Sequence, residues 1–294
     1  MNQELLQVNL DLKKALEAEL KLTAATTKFV PHQFLSLMGY QNITDVKLGD
    51  SVEHKMSVLF ADIRNFTTIL ETMTPEESFK FINGYLSRME PVIIENQGFI
   101  DKYIGDAIMA LFGGKVDDAV HAAISMLKRL HEYNKTRQRP ERLPLKIGIG
   151  INTGDLILGT VGGSQRIDGT VVGDTVNLAS RLEQLTKQYD VSLLISNYTF
   201  ISLENPGKYS IRLIDRVKVK GKAKMVTVFE VFDTEPPECL EGKKITKHLF
   251  EKAIIFYYQE KLSQAAQLFQ DCLNQNPNDR VARIYLERCQ KSES

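Results

Sequence analysis

The sequence predicts an α+β protein built around a mixed β-sheet. From Lys55 to about Phe232, apolar strand patterns occur in pairs, and helical patterns with one apolar face lie between the pairs. Helices interspersed with paired strands are typical of an α+β sandwich in which parallel and antiparallel strands share one sheet. A helical pattern precedes this region and the Pro236-Pro237 pair ends it, so we expect a central domain over 55–233.

Composition is typical of a soluble globular protein and excludes some function classes. Lys+Arg and Asp+Glu are equal at 37 each in the 294 residues. A net charge of zero gives no electrostatic reason to expect a nucleic-acid partner. No apolar run reaches the ~18 residues that cross a bilayer, and the polar N-terminus lacks the apolar core of a signal peptide. Three sparse cysteines, Cys239, Cys272 and Cys289, favour a reducing compartment, so we expect a cytoplasmic protein.

Each element of the central domain follows from a local pattern. Residues 74–77 (TPEE) predict the start of a helix, with a threonine cap, a proline in the first turn and acidic side chains beside the positive helix end. Tight turns between paired strands are predicted at Ile104-Gly105 and at Gly154-Asp155. The predicted strands are 56–61, 98–103, 107–112, 145–151, 156–161, 192–195, 209–219 and 225–232, and further helices are predicted at 117–137 and 174–188.

Residues 1–28 predict an amphipathic helix before the domain. A coiled-coil seam and a helix packed on its own domain both account for the pattern. Residues 29–54 form a connector, because Pro31 and the glycines within 39–49 interrupt the helical spacing. The apolar positions at three- and four-residue spacing are Leu5, Val8, Leu12, Leu16 and Leu20.

Residues 246–291 predict two helices separated by the polar stretch 274–277. Their small and aromatic positions resemble one tetratricopeptide-type helical hairpin. A single repeat cannot bury its faces alone. We therefore expect the hairpin either to dock on the central domain or to belong to a longer chain.

Two aspartates stand in settings that suit metal ligands. Asp62 lies where an apolar strand ends and a helix begins, and Asp106 lies in the bend of a hairpin. Two carboxylates from neighbouring strand ends would hold divalent cations, and the loop with Phe66 and Thr67 would offer backbone N–H groups to phosphates. The alternative is that each aspartate caps a turn, the commoner role of Asp near Gly. The sequence contains no P-loop and no dinucleotide-binding glycine motif.

Two further segments carry polar groups. Asn177 and Arg181 are four residues apart on a predicted helix, so they share a face, and an amide beside a guanidinium suits a sugar and a phosphate. The alternative is a surface pair at a helix that starts at Asp174 or Thr175. The basic turn 219–222 is by itself typical of a solvated sheet edge.

Together these segments resemble the class III adenylate and guanylate cyclases. The stretches FADIRNFT, DKYIGDAIMALFG, GINTGDLILGTVG, TVVGDTVNLASRLE and VKGK occur in this order. The resemblance implies a ferredoxin-like mixed sheet with flanking helices, and two domains paired head to tail with active sites at their interface. It also implies that 1–28 is a signalling helix coupled to an upstream sensor domain, so we expect the output end of a larger protein; the alternative is a free-standing short cyclase.

The resemblance assigns a role to each candidate residue. Asp62, Asp106 and the carbonyl of Ile63 would bind two metal ions, Mg²⁺ or Mn²⁺. Asn177 and Arg181 would come from the partner subunit of a homodimer, Asn177 to orient the ribose and Arg181 to stabilise charge on the reacting phosphorus.

The remaining candidates would bind the base and the phosphates. Lys220 would contact the terminal phosphates, and Lys102 and Thr170 match the positions that select the base. This Lys/Thr pair resembles the adenine-selective form of many bacterial cyclases, whereas guanylate cyclases typically carry Glu in place of Lys102.

The resemblance therefore implies an adenylate cyclase that converts ATP to 3′,5′-cyclic AMP and pyrophosphate. The alternatives are a guanylate cyclase or a catalytically silent domain that dimerises and relays a signal. A silent domain should have lost Asp62, Asp106, Asn177 or Arg181, and all of them are present. A diguanylate cyclase would need a GG[DE]EF turn, which residues 104–107 do not provide.

Overall fold

The computed structural model describes residues 2–26, 29–136, 144–163, 165–218 and 225–292. The chain divides into two compact units. The first consists of Met1–Glu53 and Ile157–Val171, and the second of His54–Leu156 and Val172–Ser294.

The strands of the described residues form a mixed sheet, as the sequence predicts. They are β1 (Ser51–Ile63), β2 (Phe99–Ile104), β3 (Ala107–Phe112), β4 (Ile147–Gly163), β5 (Arg166–Val172), β6 (Leu193–Ser196), β7 (Ile211–Lys218) and β8 (Met225–Val231). Their order is β2-β3-β1-β4-β6-β8-β7, and β5 pairs with β4. β4 and β6 run parallel, whereas β1–β3, β2–β3, β6–β8 and β7–β8 are antiparallel.

Helices flank the sheet and also lie before and after it in the chain. They are α1 (Asn2–Thr26), α2 (His32–Leu37), α3 (Phe66–Leu70), α4 (Pro75–Glu95), α5 (Val116–Thr136), α6 (Asp174–Tyr189), α7 (Asn197–Ile201), α8 (Pro237–Tyr258), α9 (Leu262–Gln275) and α10 (Arg280–Ser292). Short 3₁₀ turns occur at Ile43–Asp45 and Pro206–Lys208.

In the first unit the connector packs on the hairpin of β4 and β5. The Thr160 amide donates to the Asp50 carbonyl at 2.9 Å, and its hydroxyl donates to the Lys47 carbonyl at 2.6 Å. A side chain at Gly169 would lie only 2.9 Å from the ring of Phe34. The predicted N-terminal helix is confirmed as α1, and its leucines are exposed. Its coiled-coil pairing stays a prediction.

Helix α4 begins with the threonine cap that the sequence predicts. The Glu77 amide donates to the Thr74 hydroxyl at 3.3 Å, and the Thr74 amide donates to the Glu77 carboxylate at 2.8 Å. This reciprocal capping box satisfies two N–H groups that a helix start otherwise leaves unpaired. Pro75 follows at the first helical position, where no N–H is needed.

Helix α6 lies close on β4 because small residues alternate along that strand. A Cβ atom at Gly150 would lie 2.2 Å from the Glu183 amide nitrogen. Two residues further along β4, the Asn152 side chain donates to the Thr175 carbonyl at 3.0 Å. Glycine thus permits a close backbone approach that no other residue would allow.

The predicted turn at Gly154-Asp155 is wrong, because β4 runs without interruption through these residues. Gly154 instead makes room for α6, since a Cβ atom there would lie 2.8 Å from the Thr175 hydroxyl. That hydroxyl donates to the Asp155 carbonyl at 2.7 Å. The two predicted strands 145–151 and 156–161 are therefore one strand.

The C-terminal helices dock on the sheet and on α6. Their side chains form one buried cluster with Leu182 of α6 and Val228 of β8, to which α8, α9 and α10 contribute Phe250, Phe269 and Tyr285. The structure therefore has this segment docked on the central domain, and membership of a longer chain stays a prediction.

The C-terminal segment contains three described helices, whereas the sequence predicts two. α8 begins at Pro237, well before the predicted start at 246, because proline is accepted at the first helical position. The expected first helix is interrupted after Tyr258, where Glu260 adopts a left-handed conformation (φ 60°). The described residues after 236 therefore form α8, α9 and α10 rather than two helices.

Candidate active site

Strand pairing brings Asp62 and Asp106 together. Asp62 is near the end of β1, which pairs with β3 in a register that sets Ala61 opposite Ile108. Asp106 precedes β3 in the turn after Gly105, whose φ of 66° favours glycine. The Ile63 amide donates to the Asp106 carboxylate at 3.2 Å. The two aspartates predicted to bind metal therefore lie at adjoining ends of neighbouring strands.

The electrostatics of this pair suit a cation. Burial, then the hydrogen bond and charge of Asp62, raise the pKa of Asp106 to about 7, against the lowering effect of the Ile63 amide. Tyr85 is buried nearby: burial raises its pKa, and the charges of Asp62 and Asp106 raise it further. Two neighbouring carboxylates offer hard oxygen ligands, which Mg²⁺ and Mn²⁺ prefer.

The pair is not a complete metal cage. No group of three His, Cys, Asp or Glu residues that could hold an ion occurs within the described residues. Mg²⁺ is usually held by one or two carboxylates, with waters and substrate phosphates as the other ligands. Asp62 and Asp106, with the carbonyl of Ile63, therefore fit a divalent ion that is bound together with a phosphate substrate.

The loop after Asp62 is anchored by packing. Phe66 and Thr67 begin α3, which follows Asn65 in a left-handed conformation (φ 54°). The Phe66 ring stacks on Phe81 with 6.3 Å between centroids, whereas Thr67 is exposed. Phe66 thus holds the loop against the core, and phosphate binding by the backbone of this loop stays a prediction.

Asn177 and Arg181 lie on α6, as the sequence predicts. Asn177 is exposed, and the guanidinium of Arg181 donates to the carbonyl of Lys218 at the end of β7. Lys220, predicted to contact phosphates, lies outside the described residues. In the described part of the chain, no hydrogen bond or ion pair joins Asn177 or Arg181 to the aspartate pair.

The two predicted base-selecting residues belong to different units. Lys102 follows a bulge in β2, and its Nζ lies 3.3 Å from the carboxylate of the neighbouring Asp101. Burial raises the pKa of Asp101, and the charge of Lys102 opposes that rise. Thr170 lies half-buried on β5. Their role in selecting the base stays a prediction.

Sequence reasoning missed a buried ion pair beside the site. Arg64 extends from the end of β1 to Glu183 on α6, with 3.7 Å between Nη1 and Oε1. Burial, then the charge of Asp62, raises the pKa of Glu183 to about 7, and Arg64 opposes that rise. The sequence carried one signal for this pair. Arg64 is a charged residue at the end of an apolar strand, and a charge that is buried there needs a partner of opposite charge.

Residues 50–230 match the family described as the adenylate and guanylate cyclase catalytic domain. The chain belongs to this family. Cyclase domains of this kind act as dimers, bind nucleotide and use divalent metal ions. The resemblance and the α+β fold that the sequence predicted are thereby confirmed.

Individual relatives bear the names of adenylate cyclases. The chain is 47% identical over 210 residues to an adenylate cyclase of Anabaena cylindrica, covering 69% of this chain and 42% of the relative. It is 37% identical over 287 residues to the terminal-differentiation-specific adenylate cyclase of Dictyostelium discoideum, covering 94% of this chain and 13% of the relative. The chain thus spans less than half the length of either relative.

The fold also matches solved cyclase structures. The adenylyl cyclase CyaB from P. aeruginosa aligns at 33% identity with a TM-score of 0.55, covering 62% of this chain and 96% of that one. Among the described residues, no helix is both long and apolar enough to cross a bilayer.

Proposed function

We propose that this chain is an adenylate cyclase, which converts ATP to 3′,5′-cyclic AMP and pyrophosphate at the interface of a head-to-tail homodimer. The proposal rests on the pair of carboxylates formed by Asp62, near the end of β1, and Asp106, just before β3, in a chain that belongs to this family. Burial and the neighbouring Asp62 raise the pKa of Asp106, and the Ile63 amide holds the Asp106 carboxylate in place.

Asp62, Asp106 and the Ile63 carbonyl would hold two ions, Mg²⁺ or Mn²⁺. When bound there, such ions lower the pKa of a coordinated hydroxyl and neutralise charge on phosphate oxygens. The protein's part is to fix the distance between the two carboxylates. The pairing of β1 with β3 does this, because the backbone hydrogen bonds between the two strands hold them in one register.

The exposed position of Asn177 supports a partner subunit as the source of the second half-site. Asn177 would orient the ribose and the permanently charged Arg181 would stabilise charge on the α-phosphorus. The tip of the β2–β3 hairpin also exposes Tyr103 and Ile104, and exposed apolar side chains beside a functional site are typical of an interface. Lys220 would contact the terminal phosphates.

Lys102 and Thr170 support ATP rather than GTP as the substrate. A lysine donates hydrogen bonds and cannot accept them, so it can pair with the N1 acceptor of adenine but would leave the N1–H and amino donors of guanine without an acceptor. Both curated relatives described above are named adenylate cyclases. A coupled upstream sensor domain stays part of the proposal.

Product analysis tests the proposal. Purified protein is incubated with ATP or GTP in parallel, each with Mn²⁺ or Mg²⁺, and the products are separated by chromatography. We expect cyclic AMP and pyrophosphate from ATP and little product from GTP. Cyclic GMP as the main product would identify a guanylate cyclase, and no product from folded, dimeric protein would favour a relay domain.

A further inference from the structure

Arg64 forms a largely buried bridge between the end of β1, which carries Asp62, and helix α6. Its guanidinium donates to the hydroxyl of Thr186 and pairs with Glu183, with 3.7 Å between charged atoms. The side chains of Arg64 and Glu183 are only 17% and 11% exposed. The backbone of Arg64 is also fixed, because its amide donates to the Lys146 carbonyl at 2.8 Å.

A glycine in β4 leaves space for the guanidinium of Arg64, so this position contributes no side chain to the core. A Cβ atom at Gly148 on β4 would lie 2.2 Å from both Arg64 Nη2 and the Thr186 hydroxyl. A side chain is thus excluded from the strand where the guanidinium passes. Burying a charged pair rarely stabilises a fold more than apolar packing would, so the arrangement calls for a role beyond stability.

The two ends of the bridge adjoin different halves of the proposed site. Arg64 comes two residues after Asp62, and Glu183 comes two residues after Arg181. In a head-to-tail dimer, the aspartates of one protomer complete one active site while α6 of the same protomer completes the other. The bridge therefore connects, within one protomer, parts of two different active sites.

We propose that Arg64 is a positioning residue that couples the two active sites of the dimer by fixing the end of β1, with Asp62, relative to α6. This inference rests on the proposed function, since it requires composite sites. Both contacts of the guanidinium are made to one helix, so a shift at the end of β1 is transmitted to α6, and a shift of α6 to the end of β1. A lysine at position 64 would lack the planar fork that reaches Thr186 and Glu183 together.

Heterodimers with a single intact site test the coupling. One protomer carries Asp106→Ala and supplies α6, and the other carries Arg181→Ala and supplies the aspartates; two affinity tags isolate the mixed dimer. Arg64→Gln is then placed in either protomer, and kcat and KM for ATP are measured with Mn²⁺. Arg129→Gln, an exposed arginine on α5, is the matched control in both placements.

We expect Arg64→Gln to lower kcat on the order of tenfold in both placements, because small displacements of reacting groups have large effects on rate. The control should stay within about twofold of the parent heterodimer. A loss in one placement only, or in neither, would overturn the coupling. A parent heterodimer that makes no cyclic AMP would instead contradict the composite site, and the coupling would fall with it.

A second variant covers the case in which Arg64→Gln does not fold. Thr186→Val removes the hydroxyl that Arg64 contacts and nearly preserves the buried shape. We expect it to lower kcat in both placements as well, and by less, because the pair with Glu183 remains. Equal rates for Thr186→Val and parent heterodimers, with matching melting temperatures, would overturn the proposal.

Discussion

The carboxylate of Asp106 accepts a hydrogen bond from the backbone amide of Ile63, with 3.2 Å between the two atoms. This contact joins the turn before β3 to the end of β1 and sets Asp106 beside Asp62. The shared site raises the pKa of Asp106 to about 7, through burial first and through Asp62 second. The arrangement therefore favours a cation between the two carboxylates.

Asp106→Asn should abolish most of the activity while the fold persists. The amide oxygen can still accept from the Ile63 amide, but the negative charge is lost. A missing metal ligand forfeits several kcal/mol of transition-state stabilisation, so we expect a loss of about 10³-fold in kcat. Cyclic AMP formation with Mn²⁺ and the melting temperature are measured together, with Asp271→Asn on α9 as the carboxylate control. Turnover near that of the control would remove Asp106 from the site.

Lys102→Glu should weaken the use of ATP relative to GTP. The substitution replaces a donor with an acceptor, and a buried polar mismatch to the base is strongly discriminated against. We expect kcat/KM for ATP to fall at least about tenfold and the GTP-to-ATP ratio to rise. Parallel assays with both nucleotides check this, with Lys128→Glu on α5 as the exposed-lysine control. An unchanged ratio would exclude Lys102 from base selection.

A buried ionic network should make the C-terminal helices necessary for stability. Arg212 on β7 is fully buried and donates to Glu230 at 2.7 Å and to Asp279, which precedes α10, at 3.0 Å. Removing the charge of Asp279 leaves the buried Arg212 paired with Glu230 alone, and breaking a buried ion pair costs about 3–5 kcal/mol. Asp279→Asn should lower the free energy of unfolding in urea by several kcal/mol. A change no larger than that of Asp271→Asn would contradict this account.

The same network should make the protein sensitive to acid. Burial alone would raise the pKa of Glu230 and of Asp279, but the positive charge of Arg212, with that of Lys243, outweighs burial and lowers both from ordinary values of 4.5 and 3.8. A lowered folded-state pKa stabilises the protein above the unfolded-state value, and this stabilisation is lost as pH falls through the folded-state pKa.

The free energy of unfolding should therefore fall below about pH 4, and more steeply in the parent than in Asp279→Asn. Urea unfolding at a series of pH values measures the two slopes. Parallel slopes would show that Asp279 does not carry the acid sensitivity.

Much of the fold follows from local sequence signals. The hairpin of β2 and β3 turns at Gly105-Asp106, one residue later than the predicted Ile104-Gly105, and its glycine has the positive φ that such a turn favours. The cap at Thr74 is equally local. The meeting of Asp62 and Asp106 depends on strand pairing, which the resemblance implies but neither segment encodes alone.

The wrong and missed predictions have one physical cause: contacts between residues far apart in the chain leave no pattern in the local sequence. Gly154 has the pattern of a turn, yet it is glycine because α6 approaches β4 there. Glu260 breaks the C-terminal helical pattern without any glycine or proline to mark it. The bridge from Arg64 to α6 joins residues more than a hundred positions apart, and no spacing rule predicts such a pair.

Complementation between two inactive variants tests the composite active site most directly. Asp106→Ala and Arg181→Ala proteins are mixed in equal amounts, subunit exchange is verified, and cyclic AMP formation from ATP is measured. Random exchange makes half of the dimers mixed, each with one intact site, so we expect about a quarter of the parent activity. Activity no greater than that of either variant alone, despite verified exchange, would contradict the account.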